Sequence, residues 1–213
     1  MRVRNILLFM SLLLLAFTLE SCNPSGVNDR PNIILLISDD QSWPDYSFLG
    51  HEHIQTPRID HLAEEGLTFT RGYTTAPLCR PALASIITGL YPHQHGVFGN
   101  DPVINPGGKR VYGPEWLIQR AENNEPFMAA IEGVSTLADL LGEAGYVSLQ
   151  TGKWWEGNYS RGGFTEGMTH GDPARGGRHG DEGLKIGREG LDVIYDFIDG
   201  AKQEETPFFV WSD

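Results

Sequence analysis

Asn32-Ile33-Ile34-Leu35-Leu36-Ile37 runs without a charged residue and stops abruptly at Ser38-Asp39-Asp40. A short aliphatic, β-branched run of this kind is the pattern of a strand buried on both faces, as found inside a parallel sheet. Outward from it, helical and extended patterns alternate. Thr56 is placed to cap a helix that Pro57 begins, with Ile59, Leu62 and Ala63 on one face and Gly66 as its stop. Leu67-Thr68-Phe69-Thr70 reads as a short strand, and residues 81–88 as a short helix closed by Gly89. Residues 99–133 show little periodicity and read as a surface insertion with room for a strand or short helix. Ser135 reads as the cap of an amphipathic helix through Leu137, Leu140 and Leu141 to Gly145. Tyr146-Val147-Ser148-Leu149 reads as the next strand. Residues 158–187, rich in glycine and charge, read as a long loop over a functional site. A helical pattern over 191–198 precedes a last strand, Pro207-Phe208-Phe209-Val210-Trp211. This order predicts an α/β domain with a mostly parallel central sheet flanked by helices. The sequence stops at Asp213, directly after a strand, so the expected domain is incomplete at its C-terminus.

The 213 residues carry 28 acidic and 16 basic side chains, a formal charge of -12. That balance argues against a nucleic-acid partner, which needs clustered lysine and arginine. A small anion remains possible as substrate, because one local positive group or a metal suffices to hold it. The first 22 residues read as a leader. Arg2 and Arg4 precede an apolar run from Ile6 to Leu19, too short for a comfortable membrane span. The run ends in Leu19-Glu20-Ser21-Cys22, which reads as a lipoprotein processing site with Cys22 as the lipid-bearing residue. Ordinary secretion and an uncleaved anchor are the other readings. Residues 23–30 read as a polar linker. The expected location is therefore outside the cytoplasm, in a periplasm or on the outer cell surface, with the membrane engaged only through the lipid anchor.

Three segments carry chemistry. Asp39 and Asp40 follow a buried strand, at the edge where open α/β sheets bind ligands. Adjacent carboxylates there repel unless a cation lies between them, and hard oxygen donors favour Ca²⁺ or Mg²⁺; the plainer reading is one turn cap and one solvated side chain. Cys79 is the one cysteine of the body after Cys22. At a helix start it reads either as a polarised reactive group or as a buried small hydrophobe. Lys153, in Gln150-Thr151-Gly152-Lys153-Trp154-Trp155, follows another strand on the same inferred edge, and reads as an anion-holding group or as a surface lysine.

Pro31-Asn32-Ile33-Ile34 leading into Asp39-Asp40, then Thr56-Pro57-Arg58-Ile59-Asp60-His61-Leu62-Ala63, then Cys79-Arg80-Pro81 through Thr88-Gly89, then Thr151-Gly152-Lys153-Trp154 stand in the order found in type I sulfatases. The chain resembles that family over residues 30–213, most closely before Asn100. The resemblance implies an alkaline-phosphatase-like fold, with residues 31–213 as the amino-terminal part of the catalytic domain. It implies that a maturation enzyme oxidises Cys79 to formylglycine. One hydroxyl of the hydrated aldehyde then attacks the sulfur of a sulfate ester, and the other collapses to the aldehyde and expels sulfate. Asp39 and Asp40, with position 79, would be metal ligands for Ca²⁺, with Mg²⁺ second, and Lys153 would stabilise charge on the sulfate. The implied substrate is a sulfated carbohydrate or another sulfate ester.

Two positions depart from the family pattern. Leu83 stands where the motif begun by Cys79 has arginine, and Trp155 where histidine follows Lys-Trp. The second departure removes a proton-handling group beside the nucleophile; His93 or His95 is the candidate to replace it, although loop packing and hydrogen bonding are the main reading of both. The departures keep two alternatives in view: a phosphoester or phosphonate hydrolase of the same superfamily working with an unmodified Cys79, and a catalytically degenerate lipoprotein that binds sulfated glycans.

Overall fold

In a computed structural model, the structure describes residues 30–102, 113–175 and 179–213. The expected leader at 1–22, its Cys22 anchor and all but the last residue of the 23–30 linker lie outside them. Residues 32–213 form one compact unit. Among the described residues its sheet has four strands, β1 (Ile33–Leu36), β2 (Val147–Thr151), β3 (Glu166–Gly167) and β4 (Phe208–Ser212), in the order β1-β4-β2-β3 and parallel throughout. Ile33 pairs with Phe209, and Val147 with Phe208. Since side chains alternate along a strand, Phe209 and Trp211 of the central β4 enter one core layer, with Ile87, Ile131, Trp154 and Phe164. Phe208 and Val210 enter the other, with Leu149, Ile194, Phe197 and Ala201. Both faces of β4 are thus covered, as its unbroken apolar sequence requires.

The helices are α1 (Pro57–Glu65), α2 (Cys79–Thr88), α3 (Pro92–His95), α4 (Pro114–Met128), α5 (Leu137–Glu143) and α6 (Asp192–Gln203). Several expectations are corrected. β1 is an edge strand of the described sheet, paired only with β4, and Ile34 and Leu36 on its second face are exposed rather than buried. Leu67-Thr68-Phe69-Thr70 forms no strand. It has no partner strand among the described residues, and Leu67 and Phe69 stand 79% and 75% exposed; alternation without a neighbouring strand does not hold an extended chain. The 99–133 stretch, whose residues 103–112 lie outside the described part, holds the 15-residue α4. The cap of α5 is Thr136 rather than Ser135. The Thr136 hydroxyl accepts the Asp139 N–H at 3.1 Å while the Asp139 carboxylate accepts the Thr136 N–H at 2.9 Å, a reciprocal capping box.

Candidate active site

A parallel sheet delivers the carboxyl ends of its strands to one edge, and the chemistry-bearing residues follow three of them: Asp39 and Asp40 after β1, Lys153 after β2, Asp213 after β4. Asp40 has φ 52°, in the left-handed region that aspartate tolerates better than most residues. Gly152, with φ 77°, permits the approach of β4, since a Cβ there would lie 1.7 Å from the Asp213 carbonyl oxygen. The Lys153 N–H donates to that same oxygen at 3.3 Å.

Cys79 is the first residue of α2 and reaches the edge from the helix side. Its Sγ–H donates to Asp39 Oδ1 at 3.6 Å, while the Lys153 Nζ donates to Asp39 Oδ2 in an ion pair. One potential ligand atom from each of Asp39, Asp40 and Cys79 lies within 4.8 Å of the other two. The four sequence candidates therefore meet, with Asp39 as the hub. Asp39, Asp40 and Cys79 border a cleft of about 370 Å³ that Asp213, Leu83 and Ile86 also line, and Lys153 joins the group through its ion pair with Asp39.

Burial pushes the Cys79 thiol up; Lys153 pulls it down, but the Asp39 and Asp40 charges and the Asp39 hydrogen bond leave it above its ordinary value. These carboxylates thus oppose the polarisation expected at a helix start. Burial acts to lower the Lys153 ammonium, yet its bond to Asp39 and the charges of Cys79, Asp39 and Asp213 hold it above its ordinary value, so it stays cationic. Asp213 is pushed up to about 6 by burial and by the Asp39 charge, against the pull of Lys153.

Asp213 was not singled out from sequence. The available signal was its place, a carboxylate directly after a strand, the same place that marked Asp39. Neither candidate histidine lines the cleft. His95 is buried, its Nδ1 accepting the Val97 N–H at 3.1 Å, so that Nε2 carries the proton and donates to the Ser85 hydroxyl at 3.0 Å. His93 is exposed and stacks on Tyr91. Trp155 is buried against the His179 ring, with centroids 5.1 Å apart. Leu83 is buried in the core layer beneath the cleft. Arg80 turns away from the cleft toward Glu156.

The described part of the 158–187 loop packs against the end of β2 and adds β3 to the sheet. The Gly152 N–H donates to Gly183 O and the Trp154 N–H to His179 O, both at 3.0 Å. Asp181 organises this loop, its carboxylate accepting the N–H groups of His170, Asp172 and Glu182 at 2.7–3.0 Å. Burial raises its pKa, but these three backbone donors and the nearby His170 outweigh burial and hold it below the ordinary 3.8. A depressed folded-state pKa contributes stability that is complete above the unfolded value of about 3.9 and is lost as pH falls through the folded value. Asp181→Ala is expected to destabilise the protein by about 1–3 kcal/mol at pH 7, because three partly buried N–H groups lose their acceptor. The difference from wild type should narrow below pH ~4, a pattern that urea unfolding at pH 7 and pH 3 reads directly.

Comparison with known proteins adds to this geometry. A family profile described as Sulfatase matches residues 31–211. The chain is similar to N-acetylgalactosamine-6-sulfatase of Canis lupus familiaris, at 33% identity over 146 residues, which is 68% of this chain and 26% of that protein. It is similar to the ulvan-active sulfatase of Formosa agariphila, at 40% identity over 76 residues, covering 36% of this chain and 15% of that one. Among solved structures it resembles Ps i-CgsB in complex with k-i-k-neocarrahexaose, with a TM-score of 0.57 and 25% identity, over 86% of this chain and 44% of that one. The chain thus spans about a quarter or less of the length of these curated relatives.

Proposed function

The chain belongs to the sulfatase family, and from that premise we propose that the full-length protein hydrolyses sulfate esters of carbohydrates, with Cys79 matured to formylglycine as nucleophile. The observation that carries this reading is the meeting of Asp39, Asp40 and Cys79 at one cleft on the carboxyl edge of the sheet, with Lys153 paired to Asp39. The carbohydrate part draws on the relatives, one described as ulvan-active and one solved with a neocarrahexaose.

In this reading the Cys79 Sγ marks the place of a hydroxyl of the hydrated aldehyde. Asp39 Oδ1, which accepts the Sγ–H, is the acceptor for that hydroxyl's proton. Lys153 keeps its proton at Nζ and holds the charge of the sulfate. The hard oxygens of Asp39 and Asp40, close to one another and to position 79, fit Ca²⁺, with Mg²⁺ second. When bound, the ion would polarise sulfate oxygens and favour the deprotonated nucleophile. Ca²⁺ takes six to eight oxygens, and these residues supply only part of that set. The 213-residue chain alone is therefore expected to bind Ca²⁺ with a Kd of about 10⁻³ M or weaker and to release no sulfate. Calorimetric titration and a sulfate-release assay on that chain check both points.

A second reading rests on Leu83. With leucine where the maturation motif has arginine, an unmodified thiol serves a phosphoester or phosphonate hydrolase of the same architecture. Mass spectrometry of the Cys79 peptide, from full-length protein made in a host of its native type, decides between them. Formylglycine together with sulfate release from sulfated sugars is the expected result. A free thiol would overturn it, and phosphoester turnover by that protein would establish the second reading. Retained binding of sulfated glycans without any hydrolysis would instead mark a degenerate binder. Export and the Cys22 anchor belong to the same proposal.

A further inference from the structure

Arg80, the residue after Cys79, and Glu156, three residues after Lys153, form an ion pair in the interior, 1% and 3% exposed. The Arg80 Nε donates to Glu156 Oε1 at 2.8 Å and Nη2 donates to Oε2, so the pair is bidentate. Nη2 also donates to the Phe127 carbonyl at 2.6 Å, and the guanidinium lies 3.5 Å from the Phe127 ring centroid. The Arg80 backbone N–H is held separately by Asn100 Oδ1 at 3.0 Å. On the other side, Trp154 and Trp155 are both buried, which ties Glu156 rigidly to Lys153.

We propose that Arg80 and Glu156 are positioning residues that fix the separation of residue 79 and the Lys153 ammonium across the Asp39 carboxylate. Three observations support this. The pair joins the first turn of α2 to the loop leaving β2, and these two segments carry the two groups that bind opposite oxygens of Asp39. At residue 83 the helix turns an apolar side chain toward the cleft, so no guanidinium braces the cysteine turn from that position. A bidentate arginine–carboxylate fork sets orientation as well as distance, whereas a buried ion pair is often no more stabilising than apolar residues of similar volume. A bond chosen for geometry suits those facts better than one chosen for stability. The catalytic consequence rests on the proposed sulfatase reading; the geometric claim does not.

The test uses full-length protein produced without the maturation enzyme, so that Cys79 stays a thiol. o-Phthalaldehyde joins a thiol and a nearby amine into a fluorescent isoindole, with Cys79→Ser and Lys153→Met as blanks. Removing one partner alone risks unfolding, so the variant is Arg80→Met/Glu156→Leu, which replaces the pair by apolar side chains. It is expected to melt within about 3 °C of wild type and to form isoindole about tenfold more slowly. A folded double variant that bridges at the wild-type rate would overturn the proposal. Should it fail to fold, Arg80→Lys, which retains charge but loses the fork, decides: slowed bridging supports the proposal, and an unchanged rate overturns it. In matured enzyme the same variants should lower kcat with little change in KM. Wild type without sulfatase turnover would end the functional reading and leave the bridging result standing.

Discussion

Full-length protein carrying Cys79→Ala is expected to lose sulfate-ester turnover by about 10⁴-fold or more, as enzymes do when the nucleophile itself is removed. The expected cost in stability is small. Cys79 is the first residue of α2, only partly buried, and packed at the margin of the core layer that holds Leu83 and Ile87. Alanine is favourable in a helix and removes a single sulfur, a loss of roughly 1 kcal/mol. The folded state and the activity should therefore separate cleanly, with a melting curve lowered by only a few degrees beside an absent sulfate signal. The variant also loses the hydrogen bond to Asp39 Oδ1, but Lys153 still neutralises that carboxylate, so no unpaired charge is created. Turnover within tenfold of wild type would place the nucleophile elsewhere and remove the basis for formylglycine chemistry at this position.

Why the site could be read from sequence, and where reading failed, follows from the range of the forces involved. Asp39, Asp40 and Lys153 were legible because each directly follows a strand, and a parallel sheet sends such positions to one edge whatever the loops between them do. β4 was legible for a related reason, since a strand covered on both faces leaves an unbroken apolar run. β1 has the same kind of run, yet its second face is open in the described unit. Local composition reports what a strand can bury, not what lies beside it. Leu67-Thr68-Phe69-Thr70 fails for the same reason, because a strand exists only with a partner and the partner is not written in the segment. α4 was missed because its apolar residues are weakly patterned and Pro126 lies inside it, so periodicity carried little signal. The Arg80–Glu156 pair spans 76 residues of sequence, and no local pattern links two such positions. What sequence hid is thus mostly what is built between distant segments.

Lys153→Met in the full-length protein is expected to lower kcat by about 10²–10³-fold, the size of effect seen when one preorganised charge-stabilising donor is lost, while Ca²⁺ binding holds or tightens. The split follows from the place of the ammonium. It is cationic, and it is bound to Oδ2 of Asp39, a carboxylate that lines the cleft where the proposed sulfate would rest. A cation approaching Asp39 and Asp40 meets that positive charge as repulsion, so replacing it by a neutral thioether leaves the carboxylates freer to bind metal. The substrate experiences the opposite change, because the sulfate loses its cationic partner. Asp39→Asn should behave differently, since it removes charge from the pair proposed to hold the metal and also weakens the hold on Lys153, so that metal affinity and turnover fall together. Measuring Ca²⁺ affinity by calorimetry and sulfate release on the same two variants tests the division of labour. Loss of metal binding in Lys153→Met would make the lysine a structural support of the carboxylates rather than the holder of the anion. Unchanged kcat in that variant would mean that the sulfate is held by another group.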